Sequence, residues 1–149
     1  MQHQQLINVF IDSVKVYFDH LGHAELDIGT PYLITNPGDI GLDYNGIIAV
    51  YGDTNGSIIF SANRSILKYI LLSLGEVELN ERSIVDLVGE IANTIAGNVR
   101  RELGESFQIS TPKVTKATLN QMCPSRDPRS FVLPLRWKSK AAQLLVRLD

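Results

Sequence analysis

One segment limits the fold of this chain more than any other. From about Glu81 to Leu103 the sequence reads as a single long helix. Asn80 is a good N-cap, Glu81 places a carboxylate in the first turn where the helix dipole favours it, and Gly104 supplies the C-terminal stop. At about 100° per residue, Ile84, Val85, Leu87, Val88, Ile91, Ala92, Ile95, Ala96, Val99 and Leu103 fall on one broad side. A stripe that wide has to be buried against another layer of structure.

The other periodicities supply that layer. "LINVFIDSVKVYFDHLG" (6–22) has helical spacing with Gly22 as its stop. "ELDIGTPYLITNPGDIGLDYNG" follows as a strand or extended loop rich in turn signals. Two β-rich runs, Ile47–Tyr51 and Ser57–Ser61, flank "GDTNG" and predict a hairpin. "RSILKYILLSLG" predicts a helix capped by Asn63 or Ser61 and ending near Gly75. After the long helix come "FQISTPKV" as a strand, a loop "LNQMCPSRDPRS", and a second hairpin from "FVLPLRW" and "AAQLLVRL" joined by "KSK". Pro134 argues for an edge or bulge position in the first strand of that pair. The expected fold is α/β, a mostly antiparallel sheet with long helices packed on one side. Residues 1–149 carry no long linker and no repeat, so a single domain is expected.

The polar side of the long helix holds Asp86, Gly89, Glu90, Asn93, Thr94, Gly97, Arg100 and Arg101. Glu90 and Asn93 are i, i+3 neighbours and share a surface. Each glycine costs a helix interior about 1 kcal/mol relative to Ala. Gly89 and Gly97 are expected to lower the rim around the pair and admit another backbone or side chain. Close packing of a second helix is the competing reason for the glycines, and solvation alone is the competing reason for the polar face.

Composition narrows the function classes. With 44% hydrophobic and 20% charged residues the chain is of the soluble globular class. No apolar stretch reaches about 18 residues and no leader pattern opens the sequence, so a cytoplasmic protein with no membrane partner is expected. The single cysteine, Cys123, excludes an internal disulfide and has no obvious base beside it. His20 and His23 are spaced H-x-x-H, but a zinc site needs a third ligand and none is near. "DIGLDYNG" misses the spacing of a calcium loop, "NRS" (63–65) reads as helix capping rather than a glycosylation site, and Trp137 is expected to pack on the sheet. Residues 1–80 hold three basic and nine acidic side chains, whereas residues 113–149 hold eight and two. No tight Lys/Arg cluster occurs, so these charges are expected to mix on folding rather than bind nucleic acid.

The stretch "EIANTIAGN", Glu90 to Asn98, resembles the motif of the CheX and CheC family of chemotaxis phosphatases, with Glu90, Asn93, Ile95 and Gly97 in the matching places. "ISTPKV" resembles the family's Ser/Thr-Pro strand, "GIIAVYGDTNGSIIFSAN" its early hairpin and "FVLPLRWKSKAAQLLVRLD" its closing one, in the same order along nearly the whole chain. CheC-type members carry two such motifs. Here the first helix reads "FIDSVKVYF" with no Glu-x-x-Asn, which points to the one-site CheX branch.

The resemblance implies hydrolysis of the aspartyl-phosphate of a CheY-like response regulator, with Asn93 and Glu90 as the catalytic residues. It implies a homodimer with sheets joined across the subunits, no cofactor of the chain's own, and Mg²⁺ carried by the regulator. A carboxamide can hold a water through its oxygen and touch a phosphoryl oxygen through its NH₂, as Gln does in small GTPases. A non-catalytic module that only binds a regulator or another signalling partner is the alternative.

Overall fold

Among the described residues, seven strands form one sheet with every pairing antiparallel, and three helices bury their apolar sides on one of its faces. The computed structural model describes residues 3–22, 24–33, 41–116 and 130–148. The elements are α1 (His3–Leu21), β1 (Leu26–Ile28), β2 (Tyr44–Gly52), β3 (Gly56–Ala62), α2 (Arg64–Ser73), α3 (Glu81–Leu103), β4 (Phe107–Ile109), β5 (Lys113–Lys116), β6 (Phe131–Trp137) and β7 (Lys140–Leu148). The strand order is β1-β6-β7-β3-β2, with β4 and β5 both paired to the far side of β2.

Period-2 alternation explains which side chains meet the helices. Ile48 and Val50 of β2, Ile58 and Phe60 of β3, Leu133 and Leu135 of β6, and Leu144 and Val146 of β7 join Phe10, Val14 and Phe18 of α1 in the main core. Trp137 is buried in that core, and its Nε1 donates to the carbonyl of Ala24 at 3.3 Å. The intervening residues Ile59, Val132 and Leu145 form a smaller cluster on the opposite face, with Ile47 packed against it.

Helix α3 begins and ends where its caps predict. Asn80 accepts from the Ser83 N–H at 2.9 Å, and Gly104 takes φ 98° while its N–H donates to the carbonyl of Arg100. Eight of the ten expected apolar positions of α3 are buried, and Val85 and Leu103 pack partly buried on the same core. The helix lies directly on β2, because Gly46 has no side chain. A Cβ built there would stand 2.6 Å from the carbonyl oxygen of Val88 and 2.9 Å from the Cβ of Ala92.

Three expectations are corrected. Asn63 occupies the N-cap of α2 but makes no side-chain cap. The N–H of Arg64 instead donates to Oδ2 of Asp43 at 2.9 Å, and the hydroxyl of Ser61 accepts from Leu42 N–H. The "FQISTPKV" strand is two short strands, β4 and β5, divided around Ser110–Pro112 and both paired to β2. Pro134 lies neither on an edge strand nor in a bulge: β6 runs in continuous register with β7 and carries β1 on its other side. Its carbonyl accepts from Gly29 N–H on the β1 side, where the ladder lapses between Ile28 and the isolated Tyr32–Val132 bridge. The missing proline donor falls in that gap.

The closing hairpin turns at Lys138 and Ser139, with φ 51° and 63°. Two positive φ values in a two-residue loop are the geometry that matches strand twist, here reached without glycine. Cys123, His23 and most of the "LNQMCPSRDPRS" loop lie outside the described residues.

Candidate functional site

The N-terminal turn of α3 is tied to three other elements. The Glu81 carboxylate accepts from Arg64 Nη1 and from Lys116 Nζ, each at 2.6 Å. The buried Tyr44 of β2 donates its hydroxyl to the same carboxylate, 2.8 and 2.9 Å from its two oxygens, and accepts from Arg64 Nη1 at 2.7 Å. Hydrogen bonds from Lys116, Arg64 and Tyr44 hold the Glu81 carboxyl down to about 2, from an ordinary 4.5. The network joins α2, β2 and β5 to the first turn of α3.

From this anchor the helix presents an exposed strip. Glu90 and Asn93 are both exposed, and three residues of α-helix set them about 4.5 Å apart along the axis and about 60° apart around it. Neither side chain makes a hydrogen bond or ion pair among the described residues. Thr94 bonds its hydroxyl back to the carbonyl of Glu90 at 2.9 Å.

Two walls flank the strip. On one side lies α1, antiparallel to α3: Asn98 Nδ2 donates to the carbonyl of Ser13 at 3.3 Å, and Tyr17 lies a turn further along, close enough to feel the charge of Glu90. Burial first, and the Glu90 carboxylate second, push the Tyr17 phenol above its ordinary range, so it stays protonated. On the other side lies the link between β4 and β5. A Cβ on Gly89 would meet Val114 Cγ2 at 3.3 Å and Pro112 at 3.7 Å.

The expectation that Gly89 lowers the rim is corrected: Gly89 is buried, and its missing side chain lets the Pro112 segment close against α3. Gly97 does leave open space, with nothing within 4 Å of a Cβ built there. The family model described as "Chemotaxis phosphatase CheX" matches residues 44–136, a span that runs from β2 through α3 to β6.

The chain belongs to the CheX family. Its fold agrees over almost its full length with solved members. CheX from Vibrio vulnificus is 25% identical with a TM-score of 0.80, covering 97% of this chain and 99% of that one. A chemotactic CheC-like protein from Shewanella oneidensis MR-1 is 25% identical with a TM-score of 0.81, covering 97% of each chain. The CheX of the CheX-CheY-BeF3-Mg complex from Borrelia burgdorferi shares the fold at 18% identity and a TM-score of 0.78, covering 96% of this chain and 97% of that one. No curated protein matches the chain.

In this CheX-family chain the structure brings Glu90 and Asn93 onto one exposed surface, as the i, i+3 spacing predicts. Sequence reasoning missed Tyr17 and Pro112, which wall that surface. The only sequence signal for Tyr17 was its place in an amphipathic helix, which says nothing about the helix it faces. His20 sits in the last turn of α1, where the helix dipole favours it. No helix among the described residues is long and apolar enough to cross a membrane.

Proposed function

We propose that this single-domain protein hydrolyses the aspartyl-phosphate of a CheY-like response regulator, using Asn93 to position the attacking water and Glu90 to dock the partner. The observation that carries the reading is the pair itself: a free carboxylate and a free carboxamide, side by side on an exposed helix face of a CheX-family fold. A relative of the same fold forms a complex with CheY, BeF3 and Mg.

An acyl phosphate already has a good leaving group. What it lacks is a water held in line behind phosphorus. Asn93 cannot take a proton, because a carboxamide has no accessible pKa. Its oxygen accepts a hydrogen bond from the water while its NH₂ group donates to a phosphoryl oxygen. Attack forms the new P–O bond and breaks the one to the aspartyl oxygen, releasing inorganic phosphate and restoring the carboxylate. Glu90 pairs with a basic side chain of the regulator and fixes the register of docking. The phosphoaspartate and its Mg²⁺ belong to the regulator, so the chain brings no cofactor of its own. A homodimer and a cytoplasmic setting complete the reading.

The test is the dephosphorylation rate of a purified, phosphorylated regulator from the same organism, in Mg²⁺, with wild type and Asn93→Ala. Acceleration by wild type that vanishes in the variant supports the reading. Binding without acceleration for every CheY-like regulator of the organism turns it into that of a docking module.

A further inference from the structure

One turn beyond Asn93, the open side of α3 meets the edge of the sheet. Tyr51, Gly97, Arg100, Gln108 and Ile109 line a shallow groove of about 340 Å³ there. Gly97 provides the opening, since beyond its own helix turn no atom lies within 4 Å of where its Cβ would be. Arg100 follows Asn93 by seven residues, which places it about 20° from Asn93 around the helix and about 10.5 Å along it.

Arg100 brings the formal charge among the residues that line this groove, and its guanidinium only donates. The Arg100 guanidinium makes no hydrogen bond or ion pair among the described residues. Tyr51 offers a phenol, Gln108 a carboxamide, and among the described residues no carboxylate lines the groove. The neighbouring Arg101 differs, because its Nη1 donates to Asn98 Oδ1 at 3.4 Å on the α1 side. A cation in the last turn of a helix is favourable for the dipole alone. That explains the presence of Arg100 but not an unfilled space beside it.

We infer that this groove receives an aspartate or glutamate side chain of the response regulator, and that Arg100 binds its carboxylate. The inference rests on the docking of a regulator proposed above and adds a second point of contact. Glu90 takes a basic group near α1, and Arg100 takes an acidic group near β4. Two contacts of opposite sign, on either side of Asn93, set both the position and the direction of the partner along the helix, and a reversed partner meets like charge at both ends. A guanidinium suits the task because its planar fork binds a carboxylate through two parallel hydrogen bonds.

The test measures the Kd of a beryllofluoride-activated regulator for wild type, Arg100→Gln, Arg100→Glu and Gly97→Leu, together with KM and kcat for dephosphorylation. Arg100→Gln is expected to weaken binding about 10-fold, the scale of one lost charge-assisted hydrogen bond, with KM raised and kcat unchanged. Arg100→Glu should weaken it further and remove part of the salt dependence. Gly97→Leu should weaken it by filling the groove while the melting temperature holds. An Arg100→Glu protein that binds like wild type and still dephosphorylates overturns this inference and leaves the proposed function standing. A wild-type protein that neither binds nor dephosphorylates any regulator overturns both.

Discussion

The carbonyl oxygen of Val88 stands 2.6 Å from where a β-carbon on Gly46 would be. This approach lets α3 lie on β2 with no side chain between them. Gly46→Ala must push the helix away or bend the strand, and overpacking of this kind costs about 1–3 kcal/mol. Denaturant unfolding of the variant should show the loss as a lower midpoint. A midpoint equal to wild type would mean the contact is looser than described.

Glu90 and Asn93 should separate in their effects. Asn93→Ala should bind an activated regulator as wild type does and lose about 100-fold or more in turnover, because the water is no longer held in line. Glu90→Ala should weaken binding itself, so its defect should shrink as regulator concentration rises. Equal binding by both variants would remove the docking role of Glu90.

The Glu81 network has an acid limit. A carboxyl held at about 2 in the fold, against an ordinary 4.5, contributes stability that is fully present above pH 4.5. That contribution fades as pH falls from there through 2. Carbon-detected NMR should find the Glu81 titration near 2. Glu81→Gln should flatten the acid side of the stability profile, and an ordinary titration for Glu81 would show that Arg64 and Lys116 do not hold it in solution.

Tyr17 should show the opposite slope in alkali. Its phenol is raised above the ordinary 10, so the stability it contributes is full below pH 10 and is lost as pH rises beyond that. Ultraviolet titration should find tyrosine ionisation delayed beyond the ordinary range, with Tyr17→Phe separating the share of Tyr17 from that of the buried Tyr44, whose phenol is also raised. Glu90→Gln should lower the Tyr17 pKa, since the Glu90 charge is the second cause of the shift.

Gly97→Ala should stabilise the protein by up to about 1 kcal/mol, because the position is helical and the added methyl enters open space. Thermal melting checks this, and destabilisation would show that the space is filled in solution.

What the sequence made legible was local. The caps at Asn80 and Gly104, the apolar stripe between them and both hairpins depend on residues a few positions apart, and all are present. The Glu90–Asn93 pairing is of the same kind. What it hid depends on contacts between distant segments. The Asp43 cap on α2, the meeting of Tyr44, Arg64 and Lys116 at Glu81, and the seating of Pro112 on Gly89 join residues that no periodicity relates. Pro134 was misplaced because a missing donor needs only one local gap in a ladder, which an inner strand can also provide. Of the two helix glycines, angle alone could not tell the one under a neighbouring loop from the one facing open space.

Helix α3 is fastened at its first turn by Glu81, bedded on Gly46 further along and flanked by Pro112. A residue projecting from so firmly held a rod cannot give way when something presses on it. On the proposed function, the surface around Asn93 then meets a partner as a fixed template. The entropy lost when a complex forms falls on the visitor, whose loops must settle against a shape already set. Under the proposed function, recognition can then be retuned by exchanging side chains on α1 and along the β4 edge, while the spacing between Glu90 and Asn93 stays as the helix made it.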